Sequence, residues 1–156
     1  MLNKKGISII EIMITVFIIS ALTGMGAAVY INWQKQSKLV NTADEIKSVL
    51  IRAQQLATAA AKNSDWGVRF EEDKYILFAG SFYNEDDSEN LTWNLVGVEI
   101  VEPNSIFSDG AGGNIPDVVF KKFEGTTYNT GVIRIRLLGD LGWMRNLEVF
   151  ASGKID

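Results

Sequence analysis

The sequence predicts an α+β protein: a long N-terminal α-helical spine, with an apolar transmembrane half and an amphipathic outer half, packed on a mainly antiparallel β-sheet or small sandwich. Three observations predict it. From Gly6 to Ile31 the chain is apolar but for a few hydroxyl residues and Glu11, its only charge. From Trp33 to Lys62 no Pro or Gly occurs, and apolar residues return at helical spacing. Beyond Trp66 come short runs rich in Val, Ile, Tyr and Phe, divided by Gly, Asn and Asp. Strands that follow a helix without further alternation argue against a doubly wound fold.

The first stretch is membrane-grade. About 20 apolar residues cross a bilayer core as a helix, and this run approaches roughly 25. Lys4 and Lys5 stand immediately before it, so the N-terminus is expected on the cytoplasmic side, with a single pass and the C-terminus outside. A carboxylate in such a helix costs on the order of 2.5–3.5 kcal/mol, so Glu11 needs a partner. A secretory signal peptide has a shorter apolar region and no such charge. A plain signal anchor accounts for length and orientation, but not for Glu11 or Gly6.

The boundary Lys5-Gly6-Ile7-Ser8, with Glu11 five residues after the glycine, resembles the class III signal of type IV prepilins and type II secretion pseudopilins. That resemblance implies a leader with Lys4, Lys5 and Gly6, cleavage by prepilin peptidase between Gly6 and Ile7, and N-methylation of Ile7. It also implies that Glu11 neutralises the N-terminal amine of a neighbouring subunit during assembly. The implied partners are the peptidase, the cytoplasmic membrane before assembly, an inner-membrane assembly platform, and other pilin or pseudopilin subunits in a helical filament. Localisation would pass from the inner membrane to an extracellular or periplasmic filament. Two features depart from the family: Ile7 stands where Phe or Met is common, and no proline precedes Pro103. Gly24 and Gly26 are the weak points of the helix, each costing about 1 kcal/mol relative to Ala.

The outer half of the spine is amphipathic. Tyr30 and Trp33 sit at the polar edge of the apolar run. Leu39, Ala43, Ile46, Leu50, Ala53 and Ala57 then alternate in steps of four and three, one stripe widened by Val49 and Leu56. Lys35, Lys38, Asp44, Glu45, Lys47 and Arg52 lie off it. One helix from about Ile7 to about Ala61 is expected, roughly 80 Å long at 1.5 Å per residue. A coiled coil wants three or four sustained heptads with matching charges, which this stripe lacks.

At Asn63-Ser64-Asp65 the pattern changes. Trp66–Phe70 and Lys74–Phe82 read as a hairpin around Glu71-Glu72-Asp73, and Tyr83–Asn90 as a polar, acidic loop. Trp66-Gly67-Val68-Arg69-Phe70 after a long helix resembles the opening of the H-type minor pseudopilin and T-type minor pilin domain. Leu91–Val101 reads as one strand with Gly97 as a bulge, and Pro103–Pro116 as a long exposed loop. Asp117–Phe123, Val132–Leu138 and Trp143–Ala151 are the remaining strands. In the middle one Ile133, Ile135 and Leu137 oppose Arg134 and Arg136 with period two. Gly139-Asp140-Leu141-Gly142 is the expected hairpin connection, and Ser152-Gly153-Lys154 a turn into a last short strand.

Composition narrows the function. Residues 1–62 hold seven Lys/Arg against three Asp/Glu, whereas 63–156 hold eight against sixteen. An acidic outer part disfavours nucleic acid as a partner. Cysteine is absent, so core packing must hold a domain that the orientation places where disulfides form; the disulfide loop common in type IVa major pilins is missing. Histidine is absent too, removing the usual general base and the commonest neutral metal ligand. No enzymatic activity, cofactor or metal is expected. Glu85, Asp86, Asp87 and Glu89 lack EF-hand spacing and read as solvated loop, as does Asp109-Gly110-Ala111-Gly112-Gly113-Asn114, which has no phosphate-cradle pattern either. Asn90-Leu91-Thr92 fits a glycosylation acceptor. Arg134, Arg136 and Arg145 could make a basic strip, with a salt-bridged sheet surface as the simpler reading.

The chain therefore reads as a leader (1–6), a filament-core or transmembrane half-helix (7–31), an amphipathic half-helix (32–62) and an extracytoplasmic β-rich domain (63–156). The expected function is a structural pilin-like subunit of a type IV pilus or type II secretion pseudopilus, serving secretion, adhesion or motility. Two alternatives stand beside it: a membrane-anchored binding domain that never polymerises, and a DNA-binding minor pilin.

Overall fold

The computed structural model describes residues 6–109 and 113–156; the side chains of residues 24–28 and 141 lie outside that description. Helix α1 runs over Ile9–Thr58, close to the span its periodicity predicts. The chain divides after Gln36 into two units, Met1–Gln36 and Ser37–Asp156.

From Ile9 onward the first unit is helical throughout. Among the described residues no helix is long and apolar enough to cross a membrane, so the span expected over 7–31 is not found there. Residues 24–28 lie outside the described side chains, and the stretch before them, 9–23, falls short of the about 20 residues a bilayer core requires.

The second unit holds the core. Leu39, Ala43, Ile46, Leu50, Ala53 and Ala57, the stripe predicted from spacing, are all buried, with Val49 beside them. They pack against two antiparallel sheets. The first has the order β3-β2-β1-β7, built from β1 (Trp66–Phe70), β2 (Lys74–Ala79), β3 (Leu91–Asn94) and β7 (Asp117–Phe120). Its inward residues include Val68, Phe70, Tyr75, Leu77, Val118 and Phe120. The second centres on β8 (Thr130–Leu137). β9 (Asp140–Val149) takes one edge of β8, while β4 (Val98–Ile100) and β5 (Phe107–Ser108) share the other, and β6 (Asn114–Ile115) adds to β5. Ile133, Ile135 and Leu137 face the core as their alternation predicts. The Phe70 and Phe107 rings, 5.7 Å apart, join the two sheets.

Three expectations are corrected. Leu91–Val101 is not one strand with a bulge: β3 pairs with β2 and β4 with β8, in different sheets. Gly97, at φ +67°, is the corner where the chain changes sheet, a conformation glycine adopts without steric cost. Pro103–Pro116 is not simply an exposed loop. It contains a 3-10 turn at Pro103–Ser105 and strands β5 and β6, and it buries Ile106 and Phe107. β5 crosses β8 at Gly131, where a Cβ would lie 1.9 Å from the Ile106 carbonyl oxygen, so only glycine allows the approach. Finally, Leu137 pairs with Asp140, so the connection between β8 and β9 is Leu138-Gly139 and not Gly139–Gly142. The last turn forms as expected, with Val149 bridged to Ile155.

The end of α1 is tied down by segments distant in sequence. Ala60 turns left-handed at φ 50°, and the Phe123 amide donates to the Ala57 carbonyl at 3.0 Å. Gln54 Nε2 donates to the carbonyls of Gly125 (2.9 Å) and Gly153 (3.1 Å). Gln54→Ala leaves both acceptors without that partner, and a loss of about 1–3 kcal/mol is expected in urea unfolding.

Asp65 makes a second tie. Its carboxylate accepts from Ser81 Oγ (2.7 Å) and the Lys122 amide (2.8 Å). These bonds, the Ser81 one foremost, hold the carboxyl below its ordinary 3.8. A depressed carboxyl stabilises the fold at neutral pH, and that contribution is lost as pH falls below the ordinary value. Asp65→Asn should therefore lower the urea midpoint at pH 7 and narrow the fall in midpoint between pH 7 and pH 3.

Candidate functional site

The predicted site residues lie at the start of the first unit. Lys4 and Lys5 fall outside the described residues. Gly6, Ile7 and Ser8 precede the helix in non-helical conformation and are exposed, so the expected cleavage point lies on an accessible strand of backbone. The Ser8 carbonyl accepts from the amides of Glu11 (3.0 Å) and Ile12 (3.3 Å), which places Glu11 in the first turn. There the unpaired amides and the helix dipole favour negative charge.

Among the described residues, the hydroxyls within the helical part of this stretch are satisfied internally. The hydroxyls of Thr15, Ser20 and Thr23 donate to the carbonyls of Glu11, Val16 and Ile19 at 2.7–2.8 Å. That back-bonding is how hydroxyl residues satisfy themselves in helices without water. The Glu11 side chain makes no ion pair or hydrogen bond among the described residues. With Ile7, Ile12, Thr15 and Val16 it borders an open recess of about 320 Å³ along one helix face.

The surface around it is apolar on every side. Each described large apolar side chain from Ile7 to Trp33 is more than half exposed within the chain. Contiguous apolar surface beyond a few hundred Å² marks a surface that something else covers. A helix that is hydrophobic all round belongs inside a larger body or a membrane. Towards the polar edge, Gln34 Nε2 donates to the Tyr30 hydroxyl at 3.0 Å, and the Tyr30 and Trp33 rings lie 6.2 Å apart.

The other candidates resolve into local structure. In the acidic loop, Asn84 Oδ1 accepts from the Asp86 amide and Asp87 Oδ1 from the Glu89 amide, while Glu89 pairs with Lys62. Asp109 Oδ1 accepts from the Gly113 amide at 2.8 Å; Gly110, Ala111 and Gly112 lie outside the described residues. Among the described residues no group of acidic side chains converges to hold a metal ion. Asn90 Nδ2 donates to the Asn84 carbonyl at 2.7 Å, a bond that a glycan on that nitrogen would disturb. Arg136 pairs with buried Glu99, directly opposite it across β4 and β8, and Arg134 lies 4.0 Å from Glu102. Two of the three arginines in the supposed basic strip thus face carboxylates, as in a salt-bridged sheet surface.

No family model matches the chain, and no curated protein matches it. Among solved structures it is similar to the type IV minor pilin FimU of Pseudomonas aeruginosa, with a TM-score of 0.51 and 14% sequence identity over 76% of this chain and 90% of that one. What the two share at this identity is architecture. A helix packed on antiparallel sheets, in this order, is the pilin fold.

Proposed function

We propose that the chain is a structural subunit of a type IV pilus or type II secretion pseudopilus, processed after Gly6 and held in the cytoplasmic membrane until assembled. One observation carries the reading: a helix apolar on every side, with a single carboxylate in its first turn that has no partner among the described residues, is attached to a domain of pilin fold. In a filament the apolar helices cover one another, so the surface left bare in the single chain is removed from water. Cleavage between Gly6 and Ile7 creates an amine one helical turn before Glu11, and the amine of one subunit would meet the carboxylate of the next. Contacts that repeat head to tail without closing generate a filament.

The test is the intact mass of the protein isolated from its native membrane or filament. The expected mass begins at Ile7 and carries one added methyl group. A full-length mass, from cells with active prepilin peptidase, would favour the anchored domain that never polymerises. A salt-dependent mobility shift with DNA, abolished by changing Arg134 and Arg136, would instead support the DNA-binding minor pilin.

A further inference from the structure

β3 is an edge strand with an open side. The Leu95 amide donates to the Asp73 carbonyl at 2.7 Å, and with the Tyr75–Trp93 register this fixes the phase of the ladder. Leu91 and Trp93 turn their backbone groups towards β2, while Thr92 and Asn94 turn theirs outward, where no backbone partner meets them among the described residues. An edge of this kind is a template for another strand.

Beside that edge runs an open groove of about 710 Å³ between β2, β3 and the solvent face of α1. Its floor is the stacked pair Tyr75 and Trp93, with ring centroids 5.6 Å apart and planes 8° from parallel. Asp44 and Glu45 stand on its helical wall, and Arg52 lies at one end. Neither carboxylate forms an ion pair among the described residues. Tyr75 is only 1% exposed, yet it lines the groove and its hydroxyl has no hydrogen-bond partner among them. Burial foremost, with the charge of Glu45, pushes that phenol up to about 12, so it remains a neutral donor and acceptor at physiological pH.

We propose that this groove binds an extended segment of another protein, which adds as a strand to β3 and delivers a Lys or Arg side chain between Asp44, Glu45 and the Tyr75–Trp93 stack. The backbone edge supplies affinity for any extended chain, and alternate side chains supply the choice. The groove selects a cation for three reasons: two carboxylates without an ion pair among the described residues flank it, the half-buried Trp93 ring attracts cations through its face, and the Tyr75 hydroxyl, which lines the groove, accepts a hydrogen bond from the arriving N–H. The acidity of the whole outer domain steers a basic partner towards it. This surface lies wholly within Ser37–Asp156 and does not depend on the filament reading.

The test is selection of random twelve-residue peptides displayed on phage against the full chain in nanodiscs, followed by affinity measurement with the enriched peptide. The expected motif holds a Lys or Arg between β-branched residues. The enriched peptide should protect the Thr92 and Asn94 amides from hydrogen exchange and lose at least tenfold in affinity on the double variant Asp44→Asn/Glu45→Gln. Thr92→Pro, which removes one outward N–H from an edge where proline is tolerated, should weaken binding similarly. The proposal is overturned by the absence of any enriched motif, by a motif without a cation, or by binding indifferent to these changes. Concentration-dependent protection of Thr92 and Asn94 without peptide would assign the groove to a second copy of this chain and equally overturn it.

Discussion

Glu11→Ala or Glu11→Val is expected to abolish filament incorporation while leaving membrane insertion and the folded outer domain intact. Removing the carboxylate relieves an insertion cost on the order of 2.5–3.5 kcal/mol, so the variant should enter the membrane at least as well as the parent. What it would lose, on the proposed assembly, is the charge-assisted contact to the neighbouring amine. Such a contact contributes about 1.5–3 kcal/mol, or roughly ten- to a hundredfold at each subunit addition, and the loss recurs at every step. Glu11→Gln separates charge from shape: it keeps the side chain's size and should fail nearly as badly. The measurement is the share of protein in sheared filaments against membranes, with thermal unfolding of the outer domain as the control for folding. Normal incorporation of these variants would sink the charge-pairing idea.

Glu11 stands out in the chain for a local reason. A single charge in an apolar run is a local anomaly, visible without any knowledge of the fold. The buried stripe from Leu39 to Ala57 and the alternation in β8 were legible for a similar reason. Each is a periodic pattern imposed by one continuous burying surface. The corner at Gly97 was not, because the pairing of Leu91–Asn94 with one sheet and Val98–Ile100 with another is a property of partners far away in sequence. Strands β5 and β6 have two residues each, too few to show any period. The groove on β3 is the extreme case. It requires Asp44, Glu45, Tyr75 and Trp93 to meet, and nothing in their separate contexts marks them as neighbours.

Phe107→Ala should be among the most damaging single truncations in the Ser37–Asp156 unit, although it falls in a glycine-rich, loop-like stretch. The residue is fully buried and packs its ring on Phe70 across the two sheets. Its backbone pairs with Gly131 of β8 and Ile115 of β6, and the 1.9 Å that would separate a Cβ at Gly131 from the Ile106 carbonyl shows how little room the crossing leaves. Close approach of backbone on that side limits collapse into the space a phenyl ring vacates, so transfer and cavity terms both apply. A loss of about 3–5 kcal/mol is expected, a large fraction of the stability of a domain this size. Phe123→Ala is the matched comparison, since that ring is 66% exposed and its amide bond to the Ala57 carbonyl survives truncation. It should change stability by roughly 0.5 kcal/mol or less. Urea unfolding of the two variants at equal m-value measures the contrast, and comparable losses from both would mean that Phe107 does not join the sheets as described.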